Sequence, residues 1–287
     1  MRSGFVAVVG RPNVGKSTLV NALCGGKVAI VSDKPQTTRR RIFGIANGDD
    51  YQLVLVDLPG FQRPRDALTE HMQRTVDESL ADDVDAILLV LDARERIGAG
   101  DRFVARRSFA VAVPVVIALN KVDRLKPAHI ASQMQTAAQL GPFHALHPVS
   151  AKTGDGVGEL RQELIELLPE GPAYYPPEMR VDLPTELQIA ELVREKALQL
   201  TRDEVPHAIT AETDELTDKV VRVNLFVETD SQKQIVVGRG GSIVKGIGTR
   251  ARPEIELLLG HPVFLDLHVK VRPKWRRDEA LLERLGL

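Results

Sequence analysis

The sequence predicts an α/β protein in two parts: a mostly parallel sheet with helices on both faces, followed by a smaller α+β domain. Three observations carry this reading. The apolar runs Phe5–Val9, Gln52–Val56, Ala86–Leu91 and Val115–Leu119 are separated by stretches long enough for crossover helices, the pattern of a parallel sheet covered on both sides. The segment "PEGPAYYPPEMRVDLP", Pro169 to Pro184, holds five prolines and reads as a linker. Beyond it, Val221, Val223, Leu225 and Val227 alternate with other residues, as do Val263, Leu265, Leu267, Val269 and Val271, giving two half-buried strands. With 287 residues, 43% of them hydrophobic, the chain is long enough for two cores. The expected boundaries are 1–170 for the first domain, 171–184 for the linker and 185–287 for the second domain.

Composition narrows the possibilities. A formal net charge of -1 provides no global attraction for nucleic acid or membrane, so such a partner must meet a local patch. Cys24 is the only cysteine, which rules out an internal disulfide and suits a reducing compartment. The histidines show no ligand-like clustering, and His144 and His147 read as packing residues near a strand end. No secretory leader is expected before Phe5, and the apolar run Ala86–Leu91 is far too short to span a bilayer.

Taken in order, the first strand, Phe5–Val9, runs into Gly10-Arg11-Pro12-Asn13-Val14-Gly15-Lys16-Ser17-Thr18, which then opens a stretch with helical spacing. This fits G-x-x-x-x-G-K-[ST] in the strand-to-helix context that gives the motif its meaning. Its glycines let backbone N–H groups converge on a polyphosphate at a helix N-terminus. Lys16 is expected to reach the β- and γ-phosphates, and the Ser17 hydroxyl to ligate Mg²⁺. "QTTRRR", Gln36 to Arg41, lies in a loop before the next strand, and Gln52–Val56 leads into Asp57-Leu58-Pro59-Gly60-Phe61.

Strand Val115–Leu119 ends in Asn120-Lys121-Val122-Asp123. The Asp123 carboxylate can accept two hydrogen bonds from guanine N1–H and N2–H₂, which adenine does not offer. Ser150-Ala151-Lys152 follows the strand-like His147–Val149 and brings a backbone N–H toward guanine O6. Sheet geometry places these loops on the carboxyl edge with the phosphate loop. A P-loop kinase or ATPase is the rival class that this guanine-directed set argues against. The last helix of the first domain spans Gly156–Leu168, with Leu160, Leu164 and Leu167 on one face.

The order of these motifs resembles that of translation-factor-like GTPases. The resemblance makes Asp57 the carboxylate that addresses Mg²⁺ through water and Gly60 the N–H donor to the γ-phosphate. It makes Thr38, preferred over Thr37, the switch residue that closes on Mg²⁺. Leu58 departs from the usual Thr. Phe61 stands where small GTPases carry a water-orienting Gln, and a phenyl ring cannot take that role. Hydrolysis then depends on other groups, a cation or a partner. Asn13 is either a K⁺ ligand, as in potassium-stimulated GTPases with P-N-x-G-K-[ST], or the former of an Asx-type bond within the loop.

In the second domain, Ile189, Leu192, Val193, Ala197 and Leu200 share one face of a helix over Leu187–Leu200. Gly238-Arg239-Gly240-Gly241 is a GXXG loop at a helix start, the device by which KH domains clamp single-stranded nucleic-acid backbone, and Lys245 follows one turn on. Charge placement agrees. Residues 178–230 hold 6 Lys/Arg against 13 Asp/Glu, whereas residues 231–277 hold 10 against 3. In "KVRPKWRRDE", Trp275 either packs in the core, the preferred reading, or stacks on a base.

GRPNVGKST, QTTR, DxPG, NKVD and SAK, followed by a Pro-rich linker and V-V-G-x-x-G-x-x-[IV]-K-x-I-G, resemble the Era family of bacterial ribosome-assembly GTPases over essentially the whole chain. The resemblance implies a P-loop GTPase domain followed by a type II KH domain. It also implies GTP/GDP and Mg²⁺ as ligands and binding near the 3′ end of small-subunit ribosomal RNA during maturation of that subunit. Peripheral contact at the inner membrane face belongs to the same implication, while a cytoplasmic setting is expected from the cysteine usage and a monomer is expected as well. Gly240 departs from the family, which commonly carries Lys there, and leaves Arg239 as the main cation of the loop. The rival within this class is a GTPase of another family whose C-terminal domain only docks protein.

Overall fold

The computed structural model describes residues 1–61, 64–81 and 84–287. Contacts divide these into two units. The first gathers residues 1–29, 38–64 and 69–182, and the second 30–37, 65–68 and 183–287.

The first unit is built on a seven-stranded sheet. Its strands are β1 (Arg2–Val9), β2 (Ile42–Asn47), β3 (Tyr51–Asp57), β4 (Ala86–Asp92), β5 (Val115–Asn120), β6 (Ala145–Pro148) and β7 (Val181–Asp182), in the spatial order β6-β5-β4-β1-β3-β2-β7. The helices are α1 (Lys16–Cys24), α2 (Ala67–Ala81), α3 (Ala99–Phe109), α4 (Pro127–Ala137) and α5 (Val157–Leu167). Side-chain alternation divides the core between the two faces of the sheet. Val6, Val8, Leu55, Leu88 and Val116 meet Leu19 and Leu23 of α1 and Leu160 and Leu164 of α5. Ala7, Val9, Ile87, Leu89 and Ile117 meet Val76 of α2, Val104 of α3 and Ala137 of α4. Burying each such Leu or Val contributes about 1.5–3 kcal/mol, which explains why all four sequence-predicted parallel strands form.

Two strands escape the sequence reading. β2 pairs antiparallel with β3 from Ile42↔Asp57 to Asn47↔Gln52, so the stretch after "QTTRRR" is a strand and the sheet is mixed. β7 lies inside the Pro-rich segment and pairs antiparallel with β2 through Phe43↔Asp182 and Gly44↔Val181. That segment is therefore a strap as well as a linker. Buried Gln52 anchors it, accepting from the Tyr174 and Tyr175 N–H groups and donating to the Tyr175 carbonyl at 2.8 Å.

The second unit packs α6 (Thr185–Leu200), α7 (Val205–Ala208), α8 (Asp230–Val237), α9 (Ser242–Leu259) and α10 (Glu279–Arg284) with a three-stranded sheet of order β10-β9-β8. β9 (Val220–Val227) and β10 (Phe264–Val271) are parallel, and β8 (Thr210–Leu216), absent from the sequence reading, pairs antiparallel with β9. Thr210–Leu216 carries Glu212, Asp214 and Glu215, and a register shift between Thr213 and Glu215 breaks the alternation that would have marked a strand. Ile189, Val193 and Ala197 are buried as expected, but α6 also buries Glu191, Arg194, Glu195 and Lys196. These charges are paired: Glu195 accepts from the Val31 N–H at 2.8 Å, Arg194 donates to the Thr37 carbonyl and binds Glu191, and Lys196 bridges Glu195 and Glu254. Trp275 is a core residue, fully buried, with its indole N–H donated to the Ala208 carbonyl at 2.8 Å.

Candidate nucleotide site and nucleic-acid interface

β1 has β3 on one side and β4 on the other, so the loop leaving its carboxyl end sits at the topological switch point of the sheet. Gly10–Ser17 form that loop. Gly15 caps α1 at φ 98°, and a Cβ there would lie 2.4 Å from Asn120 Nδ2, so only glycine lets the phosphate loop approach the base loop. Lys16 is buried and donates to the Gly10 and Arg11 carbonyls at 3.2 and 3.1 Å. Burial lowers its ammonium to about 8 despite the nearby Asp57 charge. Arg11 differs from a ligand-facing reading, because its guanidinium is held by Asp101 at 2.7 Å and Glu95 at 2.8 Å, leaving its backbone to the loop. Asn13 adopts φ 64° in the same loop, Val14 is buried beneath it, and Thr18 lies in the first turn of α1.

The three sequence-predicted metal residues converge. Ser17 Oγ donates to Asp57 Oδ2 at 2.7 Å and lies 2.8 Å from Thr38 Oγ1, which itself is 3.5 Å from Asp57 Oδ2. Asp57 is fully buried and its Oδ1 has no hydrogen-bond partner among the described residues. Burial pushes its carboxyl up to about 6, against the opposing charge of Lys16 and the hydrogen bonds from Ser17 and Thr38. Two hydroxyls and a carboxylate are hard oxygen donors, and an orphaned buried carboxylate oxygen is what a divalent cation relieves, so the set fits Mg²⁺. Thr38, not Thr37, is in this cluster. Thr37 Oγ1 donates instead to the Lys34 carbonyl at 2.6 Å.

Leu58 and Pro59 are buried at the end of β3, and Gly60 passes so close to the phosphate loop that a Cβ would be 2.7 Å from Pro12 N. Phe61 N–H donates to the Gly10 carbonyl at 3.2 Å while its ring packs edge-on to Phe103 at 6.1 Å, with the Arg107 guanidinium 5.7 Å from its centroid. Packing, rather than water orientation, is what the Phe61 ring does.

The Asn120 side chain ties three loops together. Its Nδ2 donates to the Val14 carbonyl at 3.0 Å, and its Oδ1 accepts from the Lys121 and Ala151 N–H groups at 2.8 and 3.0 Å. Lys121, at φ 70°, leads into a single tight turn at Val122–Arg124 that presents Asp123, whose Oδ1 accepts from the buried Ser150 hydroxyl at 2.9 Å. Lys152 is exposed beside it. The structure thus brings Gly10–Thr18, Thr38, Asp57–Phe61, Asn120–Asp123 and Ser150–Lys152 to one edge of the sheet. Asp92 and Asp101 belong to the same edge and escaped the sequence reading. A carboxylate ending the apolar run "AILLVLD" was the available signal for Asp92.

In the second unit, Thr229 caps α8 by accepting from the Gln232 N–H, and α8 ends at Gly238, φ 74°, where a Cβ would lie 2.9 Å from Ile243 N. Arg239 and Gly240 are exposed, and Gly241 caps α9. Arg239 lines a hollow with Lys233, Gln234 and Gly238. A second hollow of about 410 Å³, between α9 and β10, is lined by Lys245, Gly248, Thr249, Arg252, Phe264 and Leu267. Phe264, 66% exposed, is an apolar platform beside two cations, and sequence reading passed over it as a strand residue.

Fold and site together define a P-loop GTPase joined to a KH-type nucleic-acid-binding module. Residues 5–121 match the family described as 50S ribosome-binding GTPase, and residues 204–276 match the KH domain. GTPase Era of a Nocardioides species is 46% identical over 99% of this chain and 96% of its own length, and that of Lactobacillus delbrueckii subsp. bulgaricus is 44% identical with the same coverage. Two solved structures, each with TM-score 0.96 and 38% identity, cover 100% of this chain and 99% of their own. One is a point variant of Aquifex aeolicus Era bound to GDP.AlF4⁻, and the other is Era with MgGDPNP and nucleotides 1506–1542 of 16S ribosomal RNA. The chain belongs to the Era family of GTPases. Among the described residues, no helix is long and apolar enough to cross a membrane.

Proposed function

We propose that this chain is a Mg²⁺-dependent GTP-hydrolysing switch that binds the 3′ end of small-subunit ribosomal RNA through its KH domain and assists maturation of that subunit. The observation that carries the reading is the pairing on one chain of a phosphate loop and guanine-directed Asp123 with a cationic GXXG groove. A relative solved with a 16S ribosomal RNA fragment supports the choice of RNA. Domain limits of 1–170 and 185–287, with the strap between them in sequence, are part of the proposal.

In this reading the backbone of Gly10–Gly15 and the Lys16 ammonium bind the phosphates, Gly60 N–H contacts the γ-phosphate, and Asp123 reads the guanine edge. Ser17, Thr38 and Asp57 hold Mg²⁺, which when bound neutralises charge developing on the phosphates. Phe61 leaves the attacking water to another group. Asn13 is assigned to K⁺, with hydrolysis expected to run faster in K⁺ than in Na⁺ at equal ionic strength. Gly238–Gly241 take the RNA backbone, with Arg239 and Lys245 supplying charge. The protein acts as a cytoplasmic monomer on the small subunit, with peripheral contact at the membrane face. Sequencing of RNA crosslinked to the protein in cells tests the reading. Enrichment of the small-subunit 3′ end is expected, and enrichment of tRNA or large-subunit RNA would overturn it.

A further inference from the structure

Asp92 is the last residue of β4, and its side chain is 2% exposed. Four donors converge on its carboxylate. The Arg94 N–H and Nε reach Oδ1 at 3.0 and 3.1 Å, while Arg94 Nη2 and Lys121 Nζ reach Oδ2 at 2.9 and 2.7 Å. The same Lys121 ammonium donates to the Asn13 carbonyl of the phosphate loop. Burial alone would push the Asp92 carboxyl up, but the bonds from Arg94 and Lys121 outweigh it and hold the group below the ordinary carboxylate range. A buried carboxylate adds nothing that the sheet requires, since an apolar residue of similar size packs there without a desolvation cost. Its partners are what distinguish it. Arg94 is exposed, whereas Lys121 joins the base loop to the phosphate loop.

We propose that Asp92 is a positioning residue for nucleotide binding: its buried bond to the Lys121 ammonium fixes the strut between the base loop and the Asn13 carbonyl of the phosphate loop. This rests on the reading of Gly10–Ser17 as the phosphate site. Without the carboxylate, Lys121 retains one neutral acceptor and turns toward solvent, and the outer edge of the phosphate loop loses its tie. The tie serves ground state and transition state alike, so its loss raises KM and leaves kcat in place.

A double-mutant cycle on the full chain tests this, with mant-GDP affinity, KM and kcat for GTP as readouts. Asp92→Asn is expected to weaken mant-GDP by about ten-fold, the scale of one charge-assisted hydrogen bond, and to raise KM comparably with kcat changed less than about two-fold. Lys121→Met is expected to weaken binding at least as much. In the Lys121→Met background Asp92→Asn adds less than about two-fold, because the carboxylate acts through the ammonium. Arg94→Ala, which spares the Asp92–Lys121 bond, stays within about two-fold of the unmodified protein. If Asp92→Asn does not fold, Asp92→Ser takes its place in the cycle. Equal losses with and without the Lys121 ammonium, or a fall in kcat at unchanged KM, would overturn the proposal. Lys16→Ala is measured alongside. If it also binds mant-GDP normally, the phosphate-site reading fails rather than the strut.

Discussion

Removing the charge at position 57 should stabilise the ligand-free protein, and by an amount that depends on pH. The Asp57 carboxyl is raised from 3.8 to about 6 by burial, so between those values the folded protein holds a proton that the unfolded chain has released. Stability from this group is therefore fully present below pH 3.8 and is lost as pH rises through about 6. A shift of that size corresponds to about 3 kcal/mol as an upper figure. Asp57→Asn keeps the shape and has no proton to lose. Urea denaturation of the nucleotide-free protein in EDTA, followed by a probe in the first unit, compares the two proteins across this range. The variant should gain on the unmodified protein as pH rises from about 4 to 7.5, by up to about 3 kcal/mol, and the gain should level off above about pH 7. A difference that stays constant with pH, or that favours the unmodified protein more as pH rises, would refute the claim that burial outweighs the Lys16 charge and the hydroxyl bonds at this carboxylate.

Other outcomes follow from the same geometry. Asp123→Asn should weaken GTP and favour xanthosine triphosphate, whose C2 carbonyl needs a donor, as competition against mant-GDP will report. Lys16→Ala should cost at least about 2 kcal/mol in nucleotide binding or transition-state stabilisation, read from Kd and kcat/KM. Gly15→Ala should weaken nucleotide binding through the base pocket, because its Cβ at 2.4 Å from Asn120 Nδ2 displaces the residue that ties Val14 to Ala151. Gly240→Lys meets no neighbouring atom, though its left-handed φ of 59° strains any side chain and costs some stability, so RNA affinity should rise and the salt dependence of binding should steepen by about one phosphate contact.

Much of this molecule was legible because its signals are local. The strand-loop-helix of Gly10–Ser17 announces itself through glycines whose necessity the structure explains at Gly15. The four parallel strands show as apolar runs because both faces are covered. What was hidden depends on partners distant in sequence. β2 forms by pairing with β3, and β7 by pairing with β2, and no periodicity in a two-residue strand such as Val181–Asp182 betrays that. β8 carries a polar edge. The buried charges of α6 look like a solvated face until Val31 and Thr37 are placed against them. At the site, the motifs name Asn120 and Arg11 without showing that the Asn120 side chain spans three loops or that Asp101 holds Arg11 from α3. Thr38 could be preferred over Thr37 on resemblance alone, but its place beside Ser17 needed the folded loop.

The central claim, that a guanine-nucleotide switch here carries a KH groove for the ribosomal RNA 3′ end, is tested most directly by one binding titration. A single-stranded oligonucleotide of the small-subunit 3′ terminus is titrated onto the full chain and onto its Arg239→Asp, Gly240→Asp double variant, with a scrambled oligonucleotide beside it. Mant-GDP affinity of the same preparations reports that the first unit is folded. The account predicts preference for the terminal sequence over the scrambled one and loss of RNA binding in the double variant, through charge repulsion at the GXXG loop. Equal affinity for both oligonucleotides, or undiminished binding by the double variant, would contradict it.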